Sequence, residues 1–440
     1  MSATYDLILK NGTVFTPGGP IAADVGVRGG MIAGIGVSGD AGETIDCTGL
    51  TVLPGAIDTQ VHFREPGLEH KEDLESGSRA AVLGGITGVF EMPNTRPNTD
   101  SAEALADKLR RAHHRMWCDH AFYVGATADN ADRLGELERL PGAAGIKVFM
   151  GASTGDLLVS DDAALARVLA SGRRRVAIHA EDEARMQARL GERIEGDASS
   201  HPVWRDDESA LLATRRILKL AHAAKRRIHV LHVTTPAELE LLGQHKDIAS
   251  CEVTPQHLTL AGEEAYPRLG SFAQMNPPIR SGAHRDGLWH WLNQGVPDVI
   301  GSDHAPHTLE EKAKPYPASP SGMPGVQTLM PLMLNHVAEG RLTLARLVDL
   351  MSSGAERVFG LVGKGRIAVG YDADFTIVDL KARWTIEESW LASRCGWSPF
   401  TGMEITGKPK GTIIRGNRVM WDGALAASAT GEPFRFQETL

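Results

Sequence analysis

Short apolar runs alternate with longer amphipathic stretches through the middle of the chain. The runs have the length of strands and occupy residues 50–58, 85–93, 120–126, 145–151, 175–182, 228–235, 248–255 and 297–306. Amphipathic stretches of helical length lie between most of them, as at 100–116, 209–225 and 235–246. About eight strands alternating with helices over roughly 250 residues predict an α/β fold, the (β/α)8 TIM barrel. A doubly wound open sheet is the alternative, but no Gly-x-Gly-x-x-Gly motif follows the first strand.

The two ends of the chain share a different pattern, in which apolar residues alternate with polar residues or glycine. This period of two covers the first fifty residues and returns at 365–380 and 411–423, with Asn-Gly and Gly-Gly as turn signals. The pattern predicts one small β-sandwich domain built from both termini, and two unrelated surface hairpins are the alternative. We expect residues 1–53 and 361–440 to form this domain and residues 54–360 to form the barrel.

The composition is that of an ordinary globular protein, with 42% apolar and 23% charged residues. The net charge of −9 argues against nucleic acid as the main partner, because phosphate backbones require clustered lysine and arginine. The basic runs at 110–115 and 172–176 are short, and we interpret each as a solvated face.

The cysteines and the apolar runs indicate the compartment. Cys47, Cys118, Cys251 and Cys395 are far apart and form no Cys-x-x-Cys pair, which is typical of a reduced cytoplasmic protein. The sequence contains no run of roughly 18 consecutive apolar residues, and its amino terminus lacks a signal-peptide core. We therefore expect a cytoplasmic protein without a membrane segment.

Polar side chains stand at the carboxyl ends of the predicted barrel strands. They are His62, Arg64, Asn94, Lys147, His179, His232 and Asp303. All strand ends of a TIM barrel share one face, so these side chains are expected to meet there. One polar strand end would mean little, but six of the runs end in this way, which favours an active site.

His179 and His232 each close an apolar run, and they point to a metal. A lone histidine at such a position is more often a structural group that has found a hydrogen-bond partner. Two histidines at equivalent points of two strands favour the other interpretation, because neutral imidazole is a good ligand for zinc-like cations.

Lys147 and Asp303 each leave two interpretations open. Lys147 lies inside an apolar run, where an unpaired ammonium is costly to bury. It either reaches solvent or a carboxylate, or it has become a carbamate, an anionic ligand able to bridge two metal ions. Asp303 is either a helix N-cap or a carboxylate that contacts a metal and acts as general base. His304 and His307 follow it closely, which favours the site.

Five motifs occur in order along the chain. They are DTQVHFREPG at 58–67, EMPNTRPNT at 91–99, GIKVFMG at 145–151, MNPPIR at 275–280 and GSDHAPH at 301–307. Together they resemble dihydroorotases of the amidohydrolase superfamily, and the resemblance extends from about Asn11 to Gly416. It implies a (β/α)8 barrel with a small β-sandwich made from both chain ends. It also implies the reversible hydrolysis of dihydroorotate to N-carbamoyl-aspartate, in pyrimidine biosynthesis.

The resemblance implies a role for individual residues as well. By position, the zinc ligands correspond to His62, Lys147 (as a carbamate), His179, His232 and Asp303. The residues that hold the substrate carboxylate correspond to Arg64, Asn94 and His307, and a ring-contacting position corresponds to Asn276. One or two zinc ions would activate the attacking water, and Asp303 would move its proton to the leaving nitrogen.

Gln60 departs from the family pattern, which has histidine two residues before His62. The amide oxygen of glutamine is a weaker zinc ligand than imidazole. Three hypotheses follow: an active enzyme with two metal ions, one of them loosely held; an active enzyme with one; and a non-catalytic relative that serves aspartate transcarbamoylase as a structural partner. We favour activity, because every other expected position is occupied. A second departure, Gln256, is predicted to lie outside the metal shell.

Three further points stay open at this level. A hydantoinase or allantoinase would share the metal ligands, but its substrates lack the carboxylate that Arg64 and Asn94 are placed to hold. The proline-rich loop 307–324 is either a flap over the site or a surface connection. A homodimer is the commonest assembly for such an enzyme, although the sequence does not fix the oligomeric state.

Overall fold

The amino-terminal residues form seven short strands, as their period of two predicts. In the computed structural model, which describes residues 4–153 and 157–437, these are β1 (Tyr5–Lys10), β2 (Thr13–Thr16), β3 (Gly19–Ala22), β4 (Val25–Arg28), β5 (Met31–Ile35), β6 (Ala41–Asp46) and β7 (Thr51–Pro54). Four of them make one sheet in the order β5-β4-β1-β6. The other three, β2, β3 and β7, belong to a second sheet that is completed by the opposite end of the chain.

Eight parallel strands follow and form the barrel. They are β8 (Ala56–Val61), β9 (Ile86–Glu91), β10 (Asp119–Gly125), β11 (Ala143–Phe149), β12 (Val176–His179), β13 (Ile228–Val230), β14 (Ala249–Val253) and β15 (Val299–Ile300). Each strand pairs with its neighbour in sequence, so the sheet order is β15 to β8 without a crossover. Every residue of these strands is buried, which explains why they read as continuous apolar runs rather than alternating ones.

The barrel closes where its last strand meets its first. The backbone N–H of His62 donates to the carbonyl of His304 at 2.7 Å, and Val61 and His304 form a parallel bridge. The backbone N–H of Ser302 donates to the Asp58 carboxylate at 2.9 Å. This seam between β8 and β15 is short, because β15 has only two residues.

Helices connect the barrel strands and cover the outside. They are α1 (Leu74–Leu83), α2 (Ala102–Ala112), α3 (Leu134–Leu137), α4 (Asp162–Ala170), α5 (Glu183–Ala188), α6 (His201–Trp204), α7 (Asp207–Ala224), α8 (Pro236–Gly243), α9 (Pro255–Thr259), α10 (Gly262–Leu269), α11 (Gly282–Asn293), α12 (Leu309–Lys312), α13 (Leu329–Ala338), α14 (Leu344–Val348) and α15 (Gly354–Phe359). The stretches predicted as helices at 100–116, 209–225 and 235–246 form α2, α7 and α8.

The longest helix, α7, shows how the sequence sets these elements. Asp206 caps its start by accepting a hydrogen bond from the backbone N–H of Ser209, and Lys225 ends it in a left-handed conformation. Its buried side chains include Ala210, Ala213 and Ile217, spaced by three or four residues so that one face packs on the barrel.

The last strands of the chain join the first ones. They are β16 (Phe375–Thr385), β17 (Glu404–Ile414), β18 (Asn417–Trp421) and β19 (Ala424–Leu425), and the seven-stranded sheet has the order β19-β18-β17-β16-β7-β2-β3. Strand β16 pairs antiparallel with β7, which places both chain ends in one sheet. The predicted fold class, a (β/α)8 barrel flanked by sheets from both termini, is confirmed. The boundaries at 53/54 and 360/361 stay a prediction.

One predicted strand proves to be two. The run at 50–58 forms β7 in the terminal sheet and β8 in the barrel, with Gly55 between them. A Cβ atom at Gly55 would lie 2.5 Å from the Thr87 hydroxyl and 2.8 Å from Cβ of Asp374. The chain therefore passes from one sheet to the other at a point where only glycine fits.

The face of the barrel opposite the carboxyl ends of its strands is sealed. Phe434, near the carboxyl terminus, packs edge-to-face on Phe90 at 5.5 Å between ring centroids. Lys364 is buried and donates to Asp119 at 2.7 Å and to Asp374 at 2.6 Å. These contacts leave the carboxyl-end face as the open side of the barrel. Among the described residues, no helix is long and apolar enough to cross a membrane.

Candidate active site

A cavity opens at the carboxyl ends of the barrel strands, with about 350 Å³ of space free of protein atoms when the adjoining solvent is included. The sequence-predicted residues in its wall are His62, Arg64, Asn94, Lys147, His179, His232, Asn276 and Asp303. Gln60, Phe149, Ser153, Ala305, Ser321 and Gly322 complete it. Residues spread over more than two hundred positions of the sequence therefore meet in one place, as the barrel topology predicts.

Asp303 lies at the closure seam beside Gln60, which is on β8, and His62, which directly follows this strand. Gln60 Nε2 donates to Asp303 Oδ1 at 2.9 Å, and His62 Nε2 lies 3.2 Å from the same oxygen. On its other side, His62 Nδ1 donates to Asn94 Oδ1 at 2.8 Å. Burial lowers the pKa of His62, although Asp303 opposes the shift, so the ring is neutral and its Nε2 presents a lone pair to the carboxylate.

His179 and His232 face each other across the cavity wall. His179 Nδ1 and His232 Nε2 are 3.0 Å apart, and burial lowers the pKa of both rings. His179 Nε2 donates to Glu181 Oε2 at 2.8 Å, which leaves Nδ1 as the nitrogen that carries a lone pair. His232 Nδ1 has no hydrogen-bond partner among the described residues.

Glu181 and Arg205 form a buried pair behind His179. Arg205 donates through Nε at 3.1 Å and also through Nη2 to the Glu181 carboxylate. Burial raises the pKa of Glu181, but the Arg205 guanidinium and the His179 ring outweigh this effect. Together they hold the pKa of the Glu181 carboxyl well below its usual range. The carboxylate is thus permanently charged and fixes the tautomer and direction of His179.

Lys147 points into the cavity from β11 without a counter-charge. Its ammonium nitrogen lies 4.4 Å from the centroid of the Phe149 ring, and no described carboxylate lies within 4.0 Å of it. Burial lowers the pKa of Lys147 to about 7, which makes the uncharged amine accessible near neutral pH. The two expectations of a solvent-reaching or carboxylate-paired lysine therefore do not describe this side chain.

The donors around the cavity suit a divalent cation. His62, His179, His232, Asp303 and Lys147 all line this cavity. Neutral imidazole nitrogens, a carboxylate and an uncharged amine are donor types that bind such a cation. The amide oxygen of Gln60 is buried and has no hydrogen-bond partner among the described residues, so it is one more available oxygen.

Arg64 provides positive charge in the wall of the cavity. It is 1% exposed, and its Nε donates to the carbonyl of Pro306 at 3.1 Å, which fixes the guanidinium against the wall. Asn276 lines the same cavity, and its side-chain oxygen accepts from His201 Nε2 at 2.9 Å. A buried guanidinium in an open cavity is suited to an anionic group of a ligand.

His307 lies behind Arg64 rather than in the cavity wall. Its Nε2 donates to the carbonyl of Ser321 at 2.9 Å and lies 3.3 Å from Arg64 Nη2, while its Nδ1 accepts from Lys71 at 3.0 Å. Both ring nitrogens are therefore engaged within the protein. His307 supports the position of Arg64 and of the loop that carries Ser321.

The loop 307–324 is packed against the barrel and forms part of the cavity wall. It contains α12, and Lys312 at the end of this helix is fully buried, donating to the carbonyls of Gln274 at 3.1 Å and Pro320 at 2.9 Å. Gly322 has a φ of +135°, and a Cβ atom there would lie 2.5 Å from the carbonyl oxygen of Ala305. In this structure the loop is a closed wall rather than a detached surface connection.

Three of the site residues have a left-handed backbone. The φ angles are +67° at Arg64, +36° at His232 and +44° at Asp303. Residues other than glycine adopt this backbone region at a cost of about 1–3 kcal/mol. The chain therefore turns sharply just beyond β8, β13 and β15, and this turn directs each side chain toward the cavity.

The chain matches the model of the amidohydrolase family over residues 51–419. The chain belongs to the amidohydrolase family. A dihydroorotase of Halobacterium salinarum is 37% identical over 440 residues, covering 99% of this chain and 100% of that protein. An L-hydantoinase of Paenarthrobacter aurescens is 34% identical, with 95% of each chain covered. An allantoinase of Escherichia coli is 35% identical, with 95% of this chain and 96% of that protein covered.

The solved structures agree with this assignment. L-hydantoinase from Arthrobacter aurescens superimposes with a TM-score of 0.93 at 31% identity, covering 98% of this chain and all of the other. A D-hydantoinase gives a TM-score of 0.88 at 28% identity, with 97% and 98% covered. The prediction of an enzyme from the amidohydrolases that act on cyclic amides is confirmed. Members of this family are generally metal-dependent.

Glu181 and Arg205 were not predicted from the sequence. Glu181 stands two residues after His179, at the end of an apolar run that predicts a strand, and acidic residues are common at such points. Arg205 is 24 residues further along, and nothing local to it indicates a partner. Their pairing depends on tertiary packing that spacing alone does not reveal.

We expect Glu181→Gln to lower the free energy of unfolding by about 3–5 kcal/mol, because the Arg205 guanidinium stays buried without its counter-charge. A urea titration followed by circular dichroism measures this. The exposed Glu192→Gln is the matched control and should change stability by less than about 0.5 kcal/mol. The double variant Glu181→Gln, Arg205→Met should recover part of the loss; a double variant less stable than the single one would contradict the assignment.

Proposed function

We propose that this protein is a metal-dependent dihydroorotase, which hydrolyses dihydroorotate reversibly to N-carbamoyl-aspartate in pyrimidine biosynthesis. The observation that carries the proposal is the position of the buried Arg64 beside Asn94 in the same cavity as the His62–Asp303 pair. An anion anchor next to a set of metal donors matches a cyclic amide that bears a carboxylate. Four dihydroorotases, 35–37% identical to this chain over nearly its full length, support it.

The metal would be held by His179, His232 and Lys147, with His62 and Asp303 on the facing side. Zinc suits this mixture of imidazole and oxygen donors. We expect the uncharged amine of Lys147 to add carbon dioxide and lose a proton, giving a carbamate that supplies two anionic oxygens. When bound, the metal supplies Lewis-acid activation of the water and of the amide carbonyl.

The protein's own groups orient the substrate and move the proton. Arg64 and Asn94 would bind the substrate carboxylate, with His307 fixing Arg64 from behind, and Asn276 would contact the ring. Asp303 would take the proton from the attacking water and deliver it to the ring nitrogen as the carbon–nitrogen bond breaks. Gln60 fixes its position by donating to Oδ1, and His62 Nε2 lies 3.2 Å from the same oxygen.

Gln60 would make the two metal positions unequal. Its amide N–H donates to Asp303 Oδ1, so one lone pair of that carboxylate is already used in a hydrogen bond. A neutral amide oxygen is also a weaker ligand than the imidazole that the family pattern has here. Of the three hypotheses for Gln60, we favour an active enzyme that holds one metal ion tightly, at the position bordered by His179 and His232.

Two other functions remain as alternatives. The hydantoinase and allantoinase relatives are nearly as similar as the dihydroorotases, so a neutral cyclic amide is the rival substrate. A non-catalytic structural partner of aspartate transcarbamoylase is the second alternative. It predicts a protein without bound metal that co-purifies with a transcarbamoylase subunit. A homodimer is compatible with any of these.

We expect Asp303→Asn to lower kcat for dihydroorotate by a factor of about 10²–10⁴, because an amide cannot accept the proton. Metal content is measured on the same samples by plasma mass spectrometry, so that loss of the base is distinguished from loss of the metal. Turnover within a factor of about three of the wild type, with metal still bound, would rule out Asp303 as the base.

The substrate prediction rests on Arg64. The wild type should hydrolyse dihydroorotate faster than 5,6-dihydrouracil, which is the same ring without the carboxylate. Arg64→Met should raise KM for dihydroorotate by about 10- to 150-fold, which corresponds to the 1.5–3 kcal/mol of a hydrogen bond to a charged group, and should leave dihydrouracil turnover nearly unchanged. Wild-type protein that prefers dihydrouracil or a hydantoin would identify the rival substrate class.

The metal content tests the interpretation of Gln60. We expect the purified wild type to retain about one zinc per chain and Gln60→His to retain about two, because the imidazole restores a strong ligand. Gln256→His is the matched control, since Gln256 donates to the Ser302 carbonyl at 2.7 Å and lies outside the cavity wall. Equal zinc content in the wild type and Gln60→His would refute the unequal-site hypothesis.

A further inference from the structure

A second group of metal-ligating side chains lies on the outside of the barrel. His222 is on the last turn of α7, and His245 and Asp247 are in the turn between α8 and β14. His222 Nε2 and His245 Nδ1 are 3.0 Å apart, and these atoms and an oxygen of Asp247 all lie within 4.8 Å of one another. None of the three lines the active-site cavity.

The position of this cluster separates it from the chemistry. In a (β/α)8 barrel the helices run opposite to the strands, so the end of α7 and the turn before β14 lie at the amino-terminal face. The cavity is at the other face. The cluster is therefore not a part of the zinc site proposed above, although it has the same types of ligand.

The geometry of the two histidines fits joint coordination. Two imidazole nitrogens bound to one tetrahedral zinc, at about 2.0–2.1 Å each, lie roughly 3.3 Å apart. The observed 3.0 Å is close to that value and is also the length of a hydrogen bond between neutral rings. A hydrogen bond would use one proton between the rings and would leave the Asp247 carboxylate without a role.

The surrounding charges leave Asp247 available to a cation. It forms no ion pair with any described residue. Lys246, its neighbour, is committed to the Asp298 carboxylate and to the carbonyl of Val296. Arg226, two residues beyond the end of α7, pairs with Glu138 at 2.5 Å. Lys246 and Arg226 are thus engaged elsewhere, while the Asp247 carboxylate stays beside two imidazoles.

The backbone holds the three ligands in place. His222 lies three residues before the left-handed cap of an 18-residue helix. The carbonyl of His245 accepts hydrogen bonds from the backbone N–H groups of Ile248 at 3.1 Å and Ala249 at 2.9 Å, and β14 begins at Ala249. The ligands therefore come from two ordered elements, and little entropy would be lost when they bind one ion.

We propose that His222, His245 and Asp247 form a second site for a divalent transition metal of the zinc class. His222 and Asp247 are exposed, so water completes the coordination. Two imidazoles and one carboxylate favour zinc, copper or nickel over magnesium or calcium. The bound ion joins the end of α7 to the turn before β14, so its role is to stabilise the outer layer of the barrel rather than to act on substrate.

Equilibrium dialysis of the holoenzyme against micromolar Zn²⁺, with metal counted per chain, tests the site. We expect the wild type to bind one equivalent more than His222→Ala and one more than His245→Ala, with turnover unchanged in both variants. Asp247→Asn should weaken binding of this equivalent by on the order of tenfold, because a charged ligand becomes neutral. The count is taken as a difference between variants, so it does not depend on how many ions the active site holds.

His113→Ala is the matched control. His113 and His114 are an exposed pair whose ring centroids are 3.7 Å apart, and the described structure gives them no neighbouring carboxylate as a third ligand. Loss of the equivalent in His113→Ala as well would overturn the proposal, and so would equal zinc content in the wild type and His222→Ala. His222 is exposed on a helix surface, so the His222→Ala variant is expected to fold. It therefore decides the question even if His245→Ala fails to fold.

Discussion

The closure of the barrel between β8 and β15 is the constraint on which both the fold and the site depend. The same few residues that join the last strand to the first also build the cavity: His62 donates through its backbone to His304, and its ring meets Asp303 across the seam. Gln60 bridges the seam through its amide. The register of this junction therefore sets the distances among Gln60, His62 and Asp303, and a shift of one residue would turn these side chains away from the cavity.

Burial explains why these side chains suit the metal site that we propose. Burial lowers the pKa of each histidine that faces the cavity, which favours the neutral ring, and it lowers the pKa of Lys147 to about 7. Neutral imidazole nitrogens and a carboxylate in one cavity are donor types that bind a zinc-like cation. Members of the family are generally metal-dependent, which fits this set of donors. The buried Glu181–Arg205 pair fixes the direction of one of them.

Much of the fold and many of the cavity residues could be predicted from the sequence, because they follow from periodicity. Buried parallel strands read as apolar runs, and polar residues at their ends must share one face. Three things could not be predicted in this way. The division of the run 50–58 between two sheets depends on the close approach at Gly55. The engagement of His307 with Lys71 and Ser321 involves residues that are distant in sequence. The left-handed turns at Arg64, His232 and Asp303 are imposed by packing and have no local signal.

We interpret Gln60 as a residue that takes part in a working site rather than as a sign that the site has lost its function. A side chain without a function in this cavity would need only to fill space, yet the Gln60 amide donates to the carboxylate proposed as the base. Its oxygen is buried and has no hydrogen-bond partner among the described residues. The side chains around Gln60 have their partners. The Arg64 guanidinium donates to a backbone carbonyl, and the buried Arg205 donates to Glu181, which in turn accepts from His179. Burying two arginines in this way is costly and contributes little to stability alone. This cost is explained if the positions proposed for the anion and the metal, next to these two arginines, bind their ligands.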